Sequence, residues 1–85
     1  MCSYITLKTA VTGSGKGPRG WFPLSHASIY FDHPYQTPLE HTLNIDFIDE
    51  SSGADARVAV ELSAESARRL VESIQTALSA GAAPS

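Results

Sequence analysis

The run His41-Thr42-Leu43-Asn44-Ile45-Asp46-Phe47-Ile48 alternates polar and apolar residues one for one from Thr42 to Phe47. A period of two belongs to a strand with one face on a core and the other in water. Leu43, Ile45 and Phe47 then share the inner face, and Thr42, Asn44 and Asp46 the outer one. Three further runs read the same way: residues 3–11, 26–33 and 57–62. They add Ile5, Leu7 and Val11, then Ala27, Ile29 and Phe31, then Val58, Val60 and Leu62 to the apolar side. Tyr4, Lys8, Ser28, Tyr30, Asp32 and Glu61 fall on the polar side.

Register follows from the pattern, because a slip of one residue turns every side chain to the wrong face. Antiparallel pairing of the second and third strands requires odd positions opposite odd ones, and the shortest comfortable connection then sets Phe31 against Leu43 and Ile29 against Ile45, which brings His33 opposite His41. The third and fourth strands pair Phe47 with Val58 and Ile45 with Val60. Tyr30, Asn44 and Glu61 then form one row across the polar face, with Ser28 beside Asp46 and Asp32 beside Thr42. The first strand has no place fixed by this reasoning.

Over residues 63–80 the period changes to that of a helix, with Ala67, Leu70, Val71, Ile74, Ala77 and Leu78 in one stripe. Ser63 suits the N-cap, Glu65 the first turn and Gly81 the end. Glu65 can reach Arg68 and Arg69, and Arg68 can reach Glu72, as pairs on a solvated face. The expected architecture is α+β: a four-stranded antiparallel sheet with one C-terminal helix packed on its apolar face. It forms a single domain over residues 1–81, with a short polar tail over 82–85.

Eighty-five residues with 6 basic and 9 acidic side chains carry a net charge of −3. That balance disfavours nucleic acid or an anionic membrane as the main partner. No apolar run reaches the roughly 18 residues of a spanning helix, and no leader pattern is present. A soluble, cytoplasmic protein is the expectation. One cysteine permits neither an internal disulfide nor a paired-cysteine zinc site, and Cys2 reads as a small, inert residue. A domain this small has little stability to spare, and its charged fraction of 18% is below the usual value of about 25%. Both point to surface covered by another subunit, as a homodimer or larger ring.

Two constellations carry potential chemistry. Asp32-His33 and Glu40-His41 stand at the two ends of one loop stiffened by Pro34 and Pro38. Opposed strand residues lie about 5 Å apart at their roots, near enough for His33 and His41 to share a divalent metal ion, with Asp32 or Glu40 as a carboxylate ligand. The simpler role is that both histidines cap the open end of the core. The second constellation is the polar row itself: Tyr30, Asn44, Asp46 and Glu61, with Lys8 or His26 nearby. Covered by a subunit or loop, such groups have shifted pKa values and can move protons. Gly13-Ser14-Gly15-Lys16-Gly17 is not a phosphate-binding loop. Ala10 stands where the motif's first glycine belongs, Gly17 follows the lysine, and the segment leads to Pro18 and Trp21, not into a helix. It reads as a long turn whose Trp21 and Phe22 plug the core, or as a hinged lid.

The ordered motifs Met1-Cys2-Ser3-Tyr4, Gly13-Ser14-Gly15-Lys16-Gly17, Gly20-Trp21-Phe22, Tyr30-Phe31-Asp32-His33-Pro34 and Glu40-His41-Thr42-Leu43-Asn44-Ile45-Asp46-Phe47 resemble a family of short bacterial proteins catalogued as a domain of unknown function. The resemblance spans nearly the whole chain and implies no activity. It does imply a histidine at the position of Gln36, so a third imidazole in the loop is missing here.

The density of Asp, Glu, His, Tyr and Asn on two adjacent strands points to a small oligomeric enzyme. It would act on a small organic molecule by acid-base or metal-assisted chemistry of the lyase, isomerase or hydrolase type, in specialised metabolism. The alternative is a non-catalytic small-molecule-binding or accessory protein that uses the polar sheet face.

Overall fold

The computed structural model describes residues 5–51 and 56–82, so the readings placed on Cys2, Ser3 and Tyr4 lie outside the described residues. Strands β1 (Thr6–Gly17), β2 (Gly20–Asp32), β3 (Thr42–Ile48) and β4 (Arg57–Leu62) precede one helix, α1 (Ala64–Ala82). The strands form a single antiparallel sheet in chain order. This is the α+β arrangement that the alternation requires. Phe31 pairs with Leu43 and Ile29 with Ile45, while Phe47 pairs with Val58 and Ile45 with Val60.

β1 pairs with β2, setting Leu7 against Ile29 and Thr9 against Ala27. The pairing continues to Gly17 and Gly20, so residues 13–22 are neither a long turn nor a lid but the end of a two-stranded arm. Pro18 presets the backbone of the turn, and Gly20 takes a φ of 107° that other residues reach only with strain. Between Ala10 and Gly13 three steps of β1 oppose two of β2, a bulge that re-phases the arm. Leu24 thereby lies beside Gly15 and Val58. A Cβ on Gly15 would sit 3.1 Å from Leu24 Cδ2, which explains glycine there. Trp21 is exposed and does not plug the core.

One residue, Ser63, joins β4 to α1. Its Oγ accepts a hydrogen bond from the Ser66 N–H at 3.1 Å, and its carbonyl accepts one from the Ala67 N–H at 2.9 Å. Glu65 and Arg69 form the expected surface pair at 3.0 Å. The helix runs through Gly81 to Ala82 and does not stop at Gly81. A lone glycine costs a helix only about 1 kcal/mol, too little to end a run of good helix formers. Of the expected tail, Ala82 is therefore helical, and residues 83–85 lie outside the described ones.

The helix faces the apolar side of the sheet but does not close onto it. It touches β3 and β4, and its stripe stays open: Leu70 is 43% exposed and Ile74 49%. Among the described residues the buried apolar side chains are Ala27 and Ala56, whereas Thr42, Asn44 and Asp49 are buried polar ones. The radius of gyration is 14.5 Å, against roughly 12 Å for a compact chain of this length.

The backbone at Gly20 generates a stability prediction. Gly20→Ala should cost about 1–2 kcal/mol in chemical denaturation. Gly13→Ala, with nothing within 4 Å of the added methyl and no unusual φ, should be neutral or slightly stabilising.

Candidate functional site

On the polar face, Tyr30, Asn44 and Glu61 occupy one row, and Asp46 stands beside Ser28, as the register requires. Their partners differ from those of an open acid-base set. Glu61 binds backbone: its Oε2 accepts from the Tyr35 N–H at 2.5 Å, and its Oε1 from the Gln36 and Thr37 N–H groups at 3.1 and 3.0 Å. Three consecutive amides aimed at one carboxylate stabilise its charged form. They lower the Glu61 pKa to about 2, with the Tyr35 and Thr37 amides contributing most. Glu61 is therefore the anchor of the loop between β2 and β3. Beside it, Asn44 and Thr42 are buried, and Thr42 Oγ1 donates to Asn44 Oδ1 at 2.7 Å. The cover expected from a subunit or from the glycine-rich segment is supplied, at this end, by the 33–41 loop.

The next groups along the face also pair internally. Arg57 Nε donates to Asp46 Oδ1 at 3.2 Å, and the Tyr30 hydroxyl reaches Asp46 Oδ2 at 3.5 Å. Burial, and after it the Asp46 charge, push the Tyr30 phenol above its ordinary pKa. Tyr30 is thus held neutral, as a donor. At the far end, Lys8 and His26 both meet Glu50, and a hydrogen bond from Lys8 is the main cause that lowers the Glu50 pKa. Ser25 beside them is structural: its Oγ donates to the Ile48 carbonyl at 3.3 Å and accepts from the Glu50 N–H at 3.0 Å.

His33 and His41 do come together, with ring centroids 4.9 Å apart and planes 26° apart, and Phe31 stacks on His41 at 5.8 Å. The three rings form a pile at the end of the sheet. A metal ion sits in the plane of each ligating ring, about 2.0–2.1 Å from its nitrogen. Stacked rings aim those lone pairs alongside one another and not at a common point. His33 Nδ1 donates to the Glu40 carbonyl at 2.9 Å, and Asp32 Oδ1 accepts from the His33 N–H at 2.6 Å. Among the described residues no group of three or more His, Cys, Asp or Glu is placed to hold a metal ion. One imidazole would have to turn for the pair to act as ligands.

A concavity that the alternation did not reveal lies on the opposite side. Between α1 and the sheet runs an open groove of about 450 Å³, lined by Val11, Ala27, Ile29 and Ile45 from the strands and by Leu70, Val71 and Ile74 from the helix. Its lining is apolar throughout, apart from Thr9 at one edge and Arg68 on the helix. The volume is within the range of small-molecule sites. The sequence marks the aliphatic lining residues as inward-facing, but not that the two layers stand apart.

A family model described as "Family of unknown function (DUF6295)" matches residues 1–85. No curated protein and no solved structure matches the chain. Among the described residues, no helix is long and apolar enough to cross a membrane.

The Glu61 anchor has a pH signature. Its pKa is about 2 folded and 4.5 unfolded, so its contribution to stability is complete above the unfolded value. That contribution is lost as pH falls toward 2. Hydrogen exchange should show the Tyr35, Gln36 and Thr37 amides protected near neutral pH and losing protection in that acid window. Glu61→Ala should lack the protection throughout; unchanged protection in the variant would rule out the anchoring role.

Proposed function

The chain belongs to the family of unknown function DUF6295, and we propose that it is a non-catalytic binding protein that holds a small apolar molecule in the groove between α1 and the sheet. The groove itself carries this reading: about 450 Å³ of concave space lined, apart from Thr9 and Arg68, by apolar side chains. Burying apolar ligand surface there is worth about 25 cal/mol per Å². The absence of converging acids and bases in its lining favours retention of a ligand over its conversion.

The acid-base alternative draws on Tyr30 and Asp46, the polar-face pair that remains half-buried and joined to Arg57. It has less support, because Glu61, Glu50 and Ser25 each serve a hydrogen-bonding role within the fold. Metal-assisted chemistry at His33 and His41 would require the ring pile to open.

Titration with phenylnaphthylamine, an uncharged apolar fluorophore, checks the proposal. Saturable binding with a blue-shifted emission should appear in the wild type. Val71→Trp, which fills the groove from the helix side, should weaken it at least about tenfold, the equivalent of about 1.4 kcal/mol. Far-UV circular dichroism should stay unchanged, since Val71 is 54% exposed and tolerates a larger side chain. No saturable binding in the wild type, or binding that Val71→Trp leaves intact, would overturn the reading.

A further inference from the structure

The chain exposes more surface than a compact domain of its mass, with large aliphatic side chains among it. Its accessible area is 6425 Å², whereas a compact monomer of 9.1 kDa exposes roughly 4,900 Å². The excess of about 1,500 Å² belongs to the whole chain, polar and apolar surface together, and exceeds the roughly 800 Å² that each partner of a standard stable interface buries. Much of the exposed aliphatic surface lies on one side. Leu70, Val71 and Ile74 project from α1 into the groove while staying half-exposed, and Leu78 continues the stripe at 68% exposure beyond it. Leu7, 58% exposed, extends the same side along β1 beside Ile29. The polar face shows the opposite condition: its carboxylates Asp46, Glu50 and Glu61 each have a partner within the chain.

We infer that a second copy of this chain docks on the apolar side, the two α1 stripes and the two β1 edges meeting across a two-fold axis, so that each copy roofs the other's groove. An isologous contact suits this surface because one continuous patch on each copy supplies both halves. A partner of this kind excludes water from Leu70, Ile74 and Leu78 together, which a ligand confined to the groove does not. The dimer therefore forms through the face opposite Tyr30, Asn44 and Asp46 and leaves the surroundings of those residues unchanged. The inference goes beyond the ligand reading and does not depend on it.

The test is sedimentation velocity and light scattering of the full chain, with two variants beside the wild type. Wild-type protein should run at about 18 kDa, twice the chain mass of 9.1 kDa. Leu78→Glu should raise the dimer dissociation constant roughly a hundredfold or more, since two leucines leave the interface at once. Leu78 is exposed within one chain and outside the groove lining, so the variant should keep both its helix content and the groove itself. Ser28→Arg, on the polar face, should leave the dimer unchanged. A wild-type chain that stays at 9.1 kDa, a dimer that survives Leu78→Glu, or one broken by Ser28→Arg overturns the inference. Phenylnaphthylamine binding separates the two claims: binding by a monomer removes the dimer alone, and a dimer that does not bind removes the ligand reading alone.

Discussion

Ser63 is the only residue between the last strand and the helix, and its Oγ and carbonyl are both committed to the first turn of α1. A junction this short and this well bonded fixes the direction in which the helix leaves β4. The helix cannot slide to the centre of the sheet. It touches β3 and β4. Ala64, Ser66 and Ala67 in its first turn are half-buried, the residues from Arg68 onward are exposed, and a groove separates Leu70, Val71 and Ile74 from the sheet. That geometry leaves Ile29 and Ile45 facing Leu70 and Ile74 across open space, and from it follow the groove and the exposed stripe.

The two faces of the sheet solve the problem of small size differently. On the polar face, short-range electrostatics does the sealing. Glu61 gathers three loop amides, Asp46 joins Tyr30 and Arg57, and Glu50 joins Lys8 and His26. These contacts are local and complete. On the apolar face the chain exposes much of the surface that would ordinarily form a core, since the hydrophobic gain there is realised only when something covers it. A domain with two buried alanines as its buried apolar side chains among the described residues depends on what lies over Leu70 and Ile74.

The sheet was readable because alternation is strict where it matters. The pairings of Ile29, Phe31, Leu43, Ile45, Phe47, Val58 and Val60 follow from parity together with the shortest comfortable connection, as does the row of Tyr30, Asn44 and Glu61. The N-cap was readable from Ser63. Other features were not, for identifiable reasons. Glycines hide a strand, so residues 13–22 gave no alternation although they pair as far as Gly17 and Gly20. Parity brought His33 beside His41 but says nothing of ring orientation, which decides between stacking and ligation. Glu61 looked like a substrate-facing acid because its partners are main-chain amides about two dozen residues away, which no side-chain pattern announces. The groove depends on the angle between two layers, which periodicity does not encode.

Isotope-filtered nuclear Overhauser measurements on a mixture of labelled and unlabelled chains report which molecule each helix methyl touches, and so what covers the apolar face. Contacts between copies are expected from the Leu70, Ile74 and Leu78 methyl groups, with Ile29 and Ile45 near the helix of their own chain only at its first turns. Contacts that are all within one chain, from Ile74 and Leu78 down onto the sheet, would show a helix closed on its own apolar face and would contradict cover by a second copy.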